Sequence, residues 1–272
     1  VSPSRVNRLR GCSGAVASFC EAHGRHGRLP LARCLQDAIH YAGEGFPVSA
    51  RVARWIEQTA PEMDAATKAI FLSDRKVVKN PNLATTLRAI AAHGRPGFYE
   101  GEVARKLAKL GGFFTERDLA AQGAYWGEPI RGSYRGVEIY ETPAPTQGFT
   151  VLEMLNLVEP LELGPFLGPD HVHLLVQAKQ IAYHDRDRWL ADPRFAEVPI
   201  GRLSSKAYAS ERKNLIDPRR ALPWDKVPSY GSLTGDTVYV AAVDAEGNAA
   251  SLIFSLYGVF GSCVTSAETG VV

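Results

Sequence analysis

The chain has 272 residues, of which 45% are hydrophobic and 22% charged, and a formal net charge of +2; this is room for one large domain or two ordinary ones at an average globular composition. The near-neutral balance gives no general case for nucleic acid or a membrane surface as partner, and no apolar run reaches the roughly 20 residues that span a bilayer. Four cysteines (Cys12, Cys20, Cys34, Cys263) lack CxxC spacing and are too few for a disulfide scaffold, so reduced thiols are expected. The first residue is Val1, the earliest methionine is Met63, and the chain stops on an apolar step at Val271-Val272, so both ends are expected to be cuts in a longer protein.

Helices dominate the first two thirds. Apolar residues at helical spacing predict helices over Ser13–His26, Leu31–Glu44 (opened by Pro30, closed by Gly45) and Val48–Ala60, ended by Pro61. Asn82 is expected to cap Leu83–His93, and a further helical run covers Gly97–Leu110. Thr115 with Asp118 three residues later has the form of a capping box. Strands are expected over Tyr125–Arg131 and Val137–Glu141, divided by the turn residues Gly132 to Gly136. A rigid loop, Pro143–Gly148, leads into a helix over Phe149–Val158; a longer one covers His171–Leu190 after Gly168-Pro169-Asp170, and Ser204–Arg212 is another. Asp217–Gly235 reads as an exposed connector. Helices first and strands last describe an α+β arrangement rather than repeating βαβ units.

The clearest local prediction comes at the end. Asp244-Ala245-Glu246-Gly247-Asn248 suits a three-residue hairpin loop, in which Gly247 supplies the left-handed position. Asp244 then pairs with Asn248, and the same register carried along the ladder sets Ser255 opposite Thr237, within reach of a cross-strand hydroxyl pair. Both faces of the hairpin are largely apolar, which predicts a sheet covered on both sides. Thr237 follows Gly235-Asp236 and a Gly/Pro/Ser-rich connector; as a strand residue it needs no explanation, but it becomes a nucleophile if the Asp236-Thr237 bond is cut.

Other chemistry is weakly represented. His171, His173 and His184 share a helix without an HExxH pattern and read as a solvated or ion-paired polar face. No GxSxG elbow and no GxxxxGK[ST] phosphate loop occurs, and no metal or cofactor is expected. Cys263 reads as a small packed residue.

Several collinear motifs nevertheless form a series. Gly45-Phe46-Pro47-Val48-Ser49, Gly97-Phe98-Tyr99-Glu100-Gly101, Gly111-Gly112 before Thr115-x-x-Asp118-Leu119, Pro143-Ala144-Pro145-Thr146-Gln147-Gly148, Ala182-Tyr183-x-Asp185-Arg186, Asp192-Pro193, Thr237-x-Tyr239, Asp244-x-x-Gly247-Asn248 and Phe260-Gly261-Ser262 run in this order over nearly the whole chain. In this the sequence resembles the γ-glutamyltransferases. The resemblance implies the helix-rich large-subunit part of an αββα N-terminal-nucleophile hydrolase sandwich (residues 1–236), followed by the first hairpin of the small subunit (237–272). It implies self-cleavage between Asp236 and Thr237, a Thr237 nucleophile supported by the Ser255 hydroxyl, a small γ-glutamyl substrate, and water, an amino acid or a peptide as acceptor. It also implies that the two subunits stay associated after cleavage, and it suggests a periplasmic or secreted location.

The sequence departs from the pattern in three ways. Tyr257 stands where the well-known transpeptidases carry an asparagine that contacts the substrate's amino group, which leaves open a related acylase acting on glutaryl-type amides. Cys263 replaces a small glycine. The family's oxyanion-hole glycines, serine pair and substrate-gripping acid are expected beyond Val272 and its carboxylate-binding arginine before Val1, which leaves open a catalytically silent fragment.

Overall fold

A computed structural model describes residues 14–74, 76–110, 114–223 and 235–272, without the side chains of residues 235–238 and 257. The chain divides into two compact units, one within Val1–Tyr125 and Thr234–Val272, the other within Trp126–Leu233. It is α+β: helices carry most of the structure, and the described strands form three separate antiparallel pairs.

In the first unit α1 (Ala15–His26) and α2 (Leu31–Glu44) are followed by α3 (Ala50–Thr59), α4 (Ala65–Phe71) and α5 (Pro81–His93). Two short strands, β1 (Phe46–Pro47) and β2 (Val77–Val78), pair between them. Ser49 caps α3 and Asp64 caps α4 through their side-chain oxygens. The cap of α5 is Asn80 rather than Asn82: Pro81 occupies the first helical position, where a missing N–H costs nothing, and Asn80 Oδ1 accepts from Leu83 N at 3.0 Å. Helix α4 was not expected; its cap, Asp64, sits outside any strong apolar periodicity.

The run expected over Gly97–Leu110 is two helices, α6 (Pro96–Tyr99) and α7 (Gly101–Ala108). They break where Glu100 becomes extended and Gly101 takes φ +66°. Helix α8 (Glu116–Ala121) carries the expected capping box, Thr115 with Asp118. The core of this unit gathers Ala17, Ile90, Phe98, Tyr99, Leu107 and Leu119 from α1 and α5–α8. Tyr99 is fully buried, and its hydroxyl accepts from Ala17 N at 3.1 Å, so its one polar atom is satisfied.

The second unit begins with the hairpin β3 (Ile130–Tyr134) and β4 (Val137–Glu141). The turn is shorter than expected. Arg135 and Gly136, at φ +48° and +84°, form a two-residue loop, while Gly132 lies within β3, paired with Ile139, where a Cβ would meet Leu152 Cδ2 at 2.9 Å. Helices α9 (Gly148–Val158), α10 (Pro169–Trp189), α11 (Ile200–Leu203) and α12 (Lys206–Arg212) follow. Their core is Leu157, Val158, Leu174, Ala178, Ile181 and Ala209. The connector is anchored at its start: the Gln177 side chain donates to Asp217 O at 2.8 Å and accepts from Asp217 N at 3.1 Å, and His173 Nε2 lies 2.8 Å from Asp217 O. His173, half-buried on the polar side of its helix, thus also fastens the chain. The remainder of the expected connector, 224–234, lies outside the described residues, as do Ser13 and the Gly111-Gly112 pair.

Candidate active site around the terminal hairpin

Strands β5 (Gly235–Val243) and β6 (Ala249–Gly258) form the hairpin that the turn chemistry predicted. Gly247 has φ +83°, Asp244 N donates to Asn248 O at 3.0 Å, and Asn248 N donates to Asp244 Oδ1 at 2.8 Å. The Asn248 side-chain amide, first among several donors, holds the Asp244 carboxyl below the usual carboxylate range. The expected register runs from Val243↔Ala249 to Val238↔Phe254.

At Thr237 the ladder changes. The next pair is Asp236↔Tyr257, so Ser255 and Leu256 together oppose Thr237 across a β-bulge. Ser255 is thus one of two residues facing the Thr237 position, not its sole partner. The side chains of Asp236, Thr237 and Tyr257, on which the expected roles of those residues rest, lie outside the described ones.

The expectation of a covered sheet is not met among the described residues. Tyr239 and Ile253 are 61% and 65% exposed, and Val240, Val243 and Leu252 are exposed with them, because two strands alone cover neither of their own faces. Phe254 meets Phe19 edge-on at 5.7 Å between ring centroids.

What sequence reasoning missed is the segment after the hairpin. Residues Ser262, Cys263, Thr265, Ser266, Thr269 and Gly270 are buried, and they are held by α4 and α5. Asp64 N donates to Cys263 O at 2.9 Å, and Thr67 Oγ1 donates to the same carbonyl at 3.1 Å while lying 2.7 Å from Thr265 Oγ1. Because Thr67 spends its proton on the carbonyl, Thr265 is the donor between the two hydroxyls. Farther along, Asn80 Nδ2 donates to Gly270 O, Asn82 Nδ2 to Ala267 O and Thr86 Oγ1 to Thr269 O, all at 2.7–2.8 Å. At the rim, Lys109 pairs with Glu268 at 2.8 Å and holds its carboxyl below the usual range. Most of these partners are small polar residues without a motif, so only the pairing reveals them. Cys263 is fully buried at φ +61°, a backbone region that suits glycine better.

The second unit holds a cleft of about 610 Å³ onto which Asp185, Trp189, Arg202, Tyr208 and Arg212 open. Its described lining offers no serine, threonine or cysteine as a nucleophile. Behind Asp185 lies Glu153, fully buried on α9. Burial, followed by Asp185 beside it, pushes the Glu153 carboxyl up to about 9. Tyr208 donates to Asp185 Oδ2 at 2.9 Å, and burial together with that bond pushes the phenol up to about 12. Among the described residues no group of three or more His, Cys, Asp or Glu could hold a metal ion, and no helix is long and apolar enough to cross a membrane.

Residues 4–272 match the family model described as Gamma-glutamyltranspeptidase. The chain belongs to the gamma-glutamyltranspeptidase family. It is 39% identical over 274 residues to the acylase ACY 1 proenzyme of Pseudomonas sp. (strain SE83), covering 95% of this chain and 49% of that protein. It is also 39% identical to the glutathione hydrolase-like YwrD proenzyme of Bacillus subtilis (strain 168), covering 95% of this chain and 51% of the relative. Among solved structures, the cephalosporin acylase from Bacillus halodurans superposes with a TM-score of 0.82 at 32% identity, over 94% of this chain and 50% of that one. The chain spans about half the length of the curated relatives it matches. Among gamma-glutamyltranspeptidase relatives, then, both glutathione hydrolase-like and acylase names stand at equal identity.

Proposed function

We propose that this chain is the part of a self-cleaving γ-glutamyl transferase or hydrolase that carries the scissile bond, Asp236-Thr237, and the nucleophile that the cut releases. What supports the reading most is the family match over residues 4–272 together with the position of Thr237, in a hairpin strand with the Ser255 hydroxyl residue across from it. In the precursor, Thr237 Oγ attacks the Asp236 carbonyl carbon; the C–N bond breaks as the hydroxyl proton passes to the departing nitrogen. Water then hydrolyses the ester and frees Thr237 with its own α-amine. An α-amine titrates near 7.7–8.0, roughly at working pH, so it serves as the base for the adjacent hydroxyl without a histidine. Oγ next takes the γ-glutamyl group from its amide, and water or an amino-acid amine removes it. Ser255 supports the nucleophile, and Tyr257 borders the substrate's amino group. The cut divides the protein into a large portion ending at Asp236 and a small one beginning at Thr237, which stay together.

Intact-mass measurement on the full-length protein tests this directly. Two pieces divided after Asp236 are expected, and Thr237→Ala is expected to remain one piece and to lose γ-glutamyl anilide hydrolysis by on the order of a thousandfold or more. An uncut wild type, or a fully active Thr237→Ala protein, ends the proposal.

A second reading, an acylase of different acyl preference, is favoured by the likeness to the Pseudomonas acylase and by Tyr257. A panel of γ-glutamyl and glutaryl amides separates the two: clear preference for γ-glutamyl donors removes it.

A further inference from the structure

The bulge at Thr237 is the one interruption among the described pairs of β5 and β6, and it falls at the bond proposed to break. From Val238↔Phe254 to Val243↔Ala249 one register holds, and Asp236↔Tyr257 and Gly235↔Gly258 resume one residue out of step. A two-against-one count leaves a residue outside the ladder, bends the strand that carries it and increases the local twist.

The extra residue is seated rather than slipped. Leu256 is half-buried, and its Cβ lies 3.2 Å from where a Cβ on Gly261 would stand, so glycine leaves the room that Leu256 fills. Gly261 has φ +55°, and its N–H donates to Gly258 O at 2.8 Å, closing the turn that brings the chain back over Leu256. The turn is itself fastened: the Phe260 ring packs on Phe71 of α4 at 4.6 Å, and Cys263 O takes the two hydrogen bonds from Asp64 N and Thr67 Oγ1. The bulge is therefore built into the unit by contacts far away in sequence.

We propose that this bulge positions the precursor for self-cleavage and that Leu256 is its positioning residue; the proposal rests on reading Asp236-Thr237 as the scissile bond. A peptide unit inside a regular antiparallel ladder is held planar and extended between its partners. Attack on its carbonyl carbon requires approach from outside the amide plane and a change to tetrahedral geometry. An interruption at Thr237 removes the ladder's constraint at that bond and retains it on both sides, which fixes the ends while the centre moves. The step favoured is the first one, in which the Oγ–C bond forms, the C–N bond breaks and the hydroxyl proton goes to nitrogen; water completes the cut.

Deleting Leu256 leaves Asp236↔Tyr257 and Val238↔Phe254 able to pair in one continuous register, with Ser255 alone opposite Thr237. In full-length precursor followed by intact mass over time, the deletion is expected to slow self-cleavage by at least about tenfold, whereas Leu256→Ile, which keeps the residue count and an apolar seat, stays within about twofold of wild type. A deletion protein that melts cooperatively and cleaves at the wild-type rate overturns the proposal. Amide hydrogen exchange on the uncut Thr237→Ala precursor gives a measurement independent of how well the deletion folds. Fast exchange confined to residues around Thr237 and Leu256 supports the bulge, and unbroken protection through Thr237 overturns it. A wild type that never cleaves overturns the scissile-bond reading itself, a result distinct from cleavage that ignores the deletion.

Discussion

Glu153 is a carboxyl placed where water does not reach, on the face of α9 that packs toward Asp185, Tyr208 and Arg212. Its folded pKa lies above its ordinary 4.5, at about 9, so the native state keeps a proton that the unfolded chain gives up. The contribution of this group to stability is therefore complete below about 4.5 and declines as pH rises toward 9. Glu153→Gln, which keeps the shape and cannot ionise, is expected to flatten that decline. Urea denaturation of both proteins at pH 5, 7 and 9 checks it, and parallel slopes count against a proton on Glu153. Gly270 is a second residue whose identity is dictated by its surroundings. At φ +71°, a Cβ there would fall 2.2 Å from Asn80 Oδ1 and 2.4 Å from Leu83 N. Gly270→Ala is accordingly expected to cost about 1–3 kcal/mol, through left-handed strain and displacement of the α5 cap, as a lowered denaturation midpoint.

Among the elements, α4 and α5 do more than fill the first unit. Their N-terminal caps, Asp64 and Asn80, each hold their own helix and a piece of the segment after the hairpin: Asp64 takes Thr67 N with one oxygen and approaches Thr265 N with the other at 3.4 Å, and Asn80 takes Leu83 N while giving its amide to Gly270 O. A cut at Asp236-Thr237 would leave these bonds intact, since none involves either residue, and those that reach the last segment join residues 64–86 to residues 263–270. Asn80→Ala removes both the cap and the donor to a buried carbonyl, and is expected to destabilise the protein by about 1–3 kcal/mol. If the cleaved protein exists as proposed, the same variant should also release the piece beginning at Thr237 at a lower urea concentration than wild type, read by size-exclusion chromatography.

Across the whole molecule, legibility followed locality. Most helices could be read from apolar spacing, the Thr115–Asp118 box from three residues, and the hairpin loop from Asp244, Gly247 and Asn248, because each is stabilised by groups within a few positions of itself. The α+β class and family membership were legible for the same reason, as a sum of short motifs, and the match over residues 4–272 accords with them. Where reading failed, the deciding partner was mostly distant. The α5 cap alone fell on Asn80 for a local reason, Pro81 beside it; Gly132, by contrast, sits in β3 where Leu152 of α9 leaves no room for a Cβ. Likewise, a plain register at Thr237 was the best that hairpin chemistry alone could offer. The sequence by itself determined that Thr237 lies in an antiparallel strand with Ser255 near its opposite position, since turn type and strand period are local properties. Only the tertiary structure decided that Ser255 and Leu256 share the place opposite Thr237, because the turn that follows them is held by a glycine, two aromatic rings, the α4 cap Asp64 and Thr67, brought together by folding rather than by spacing.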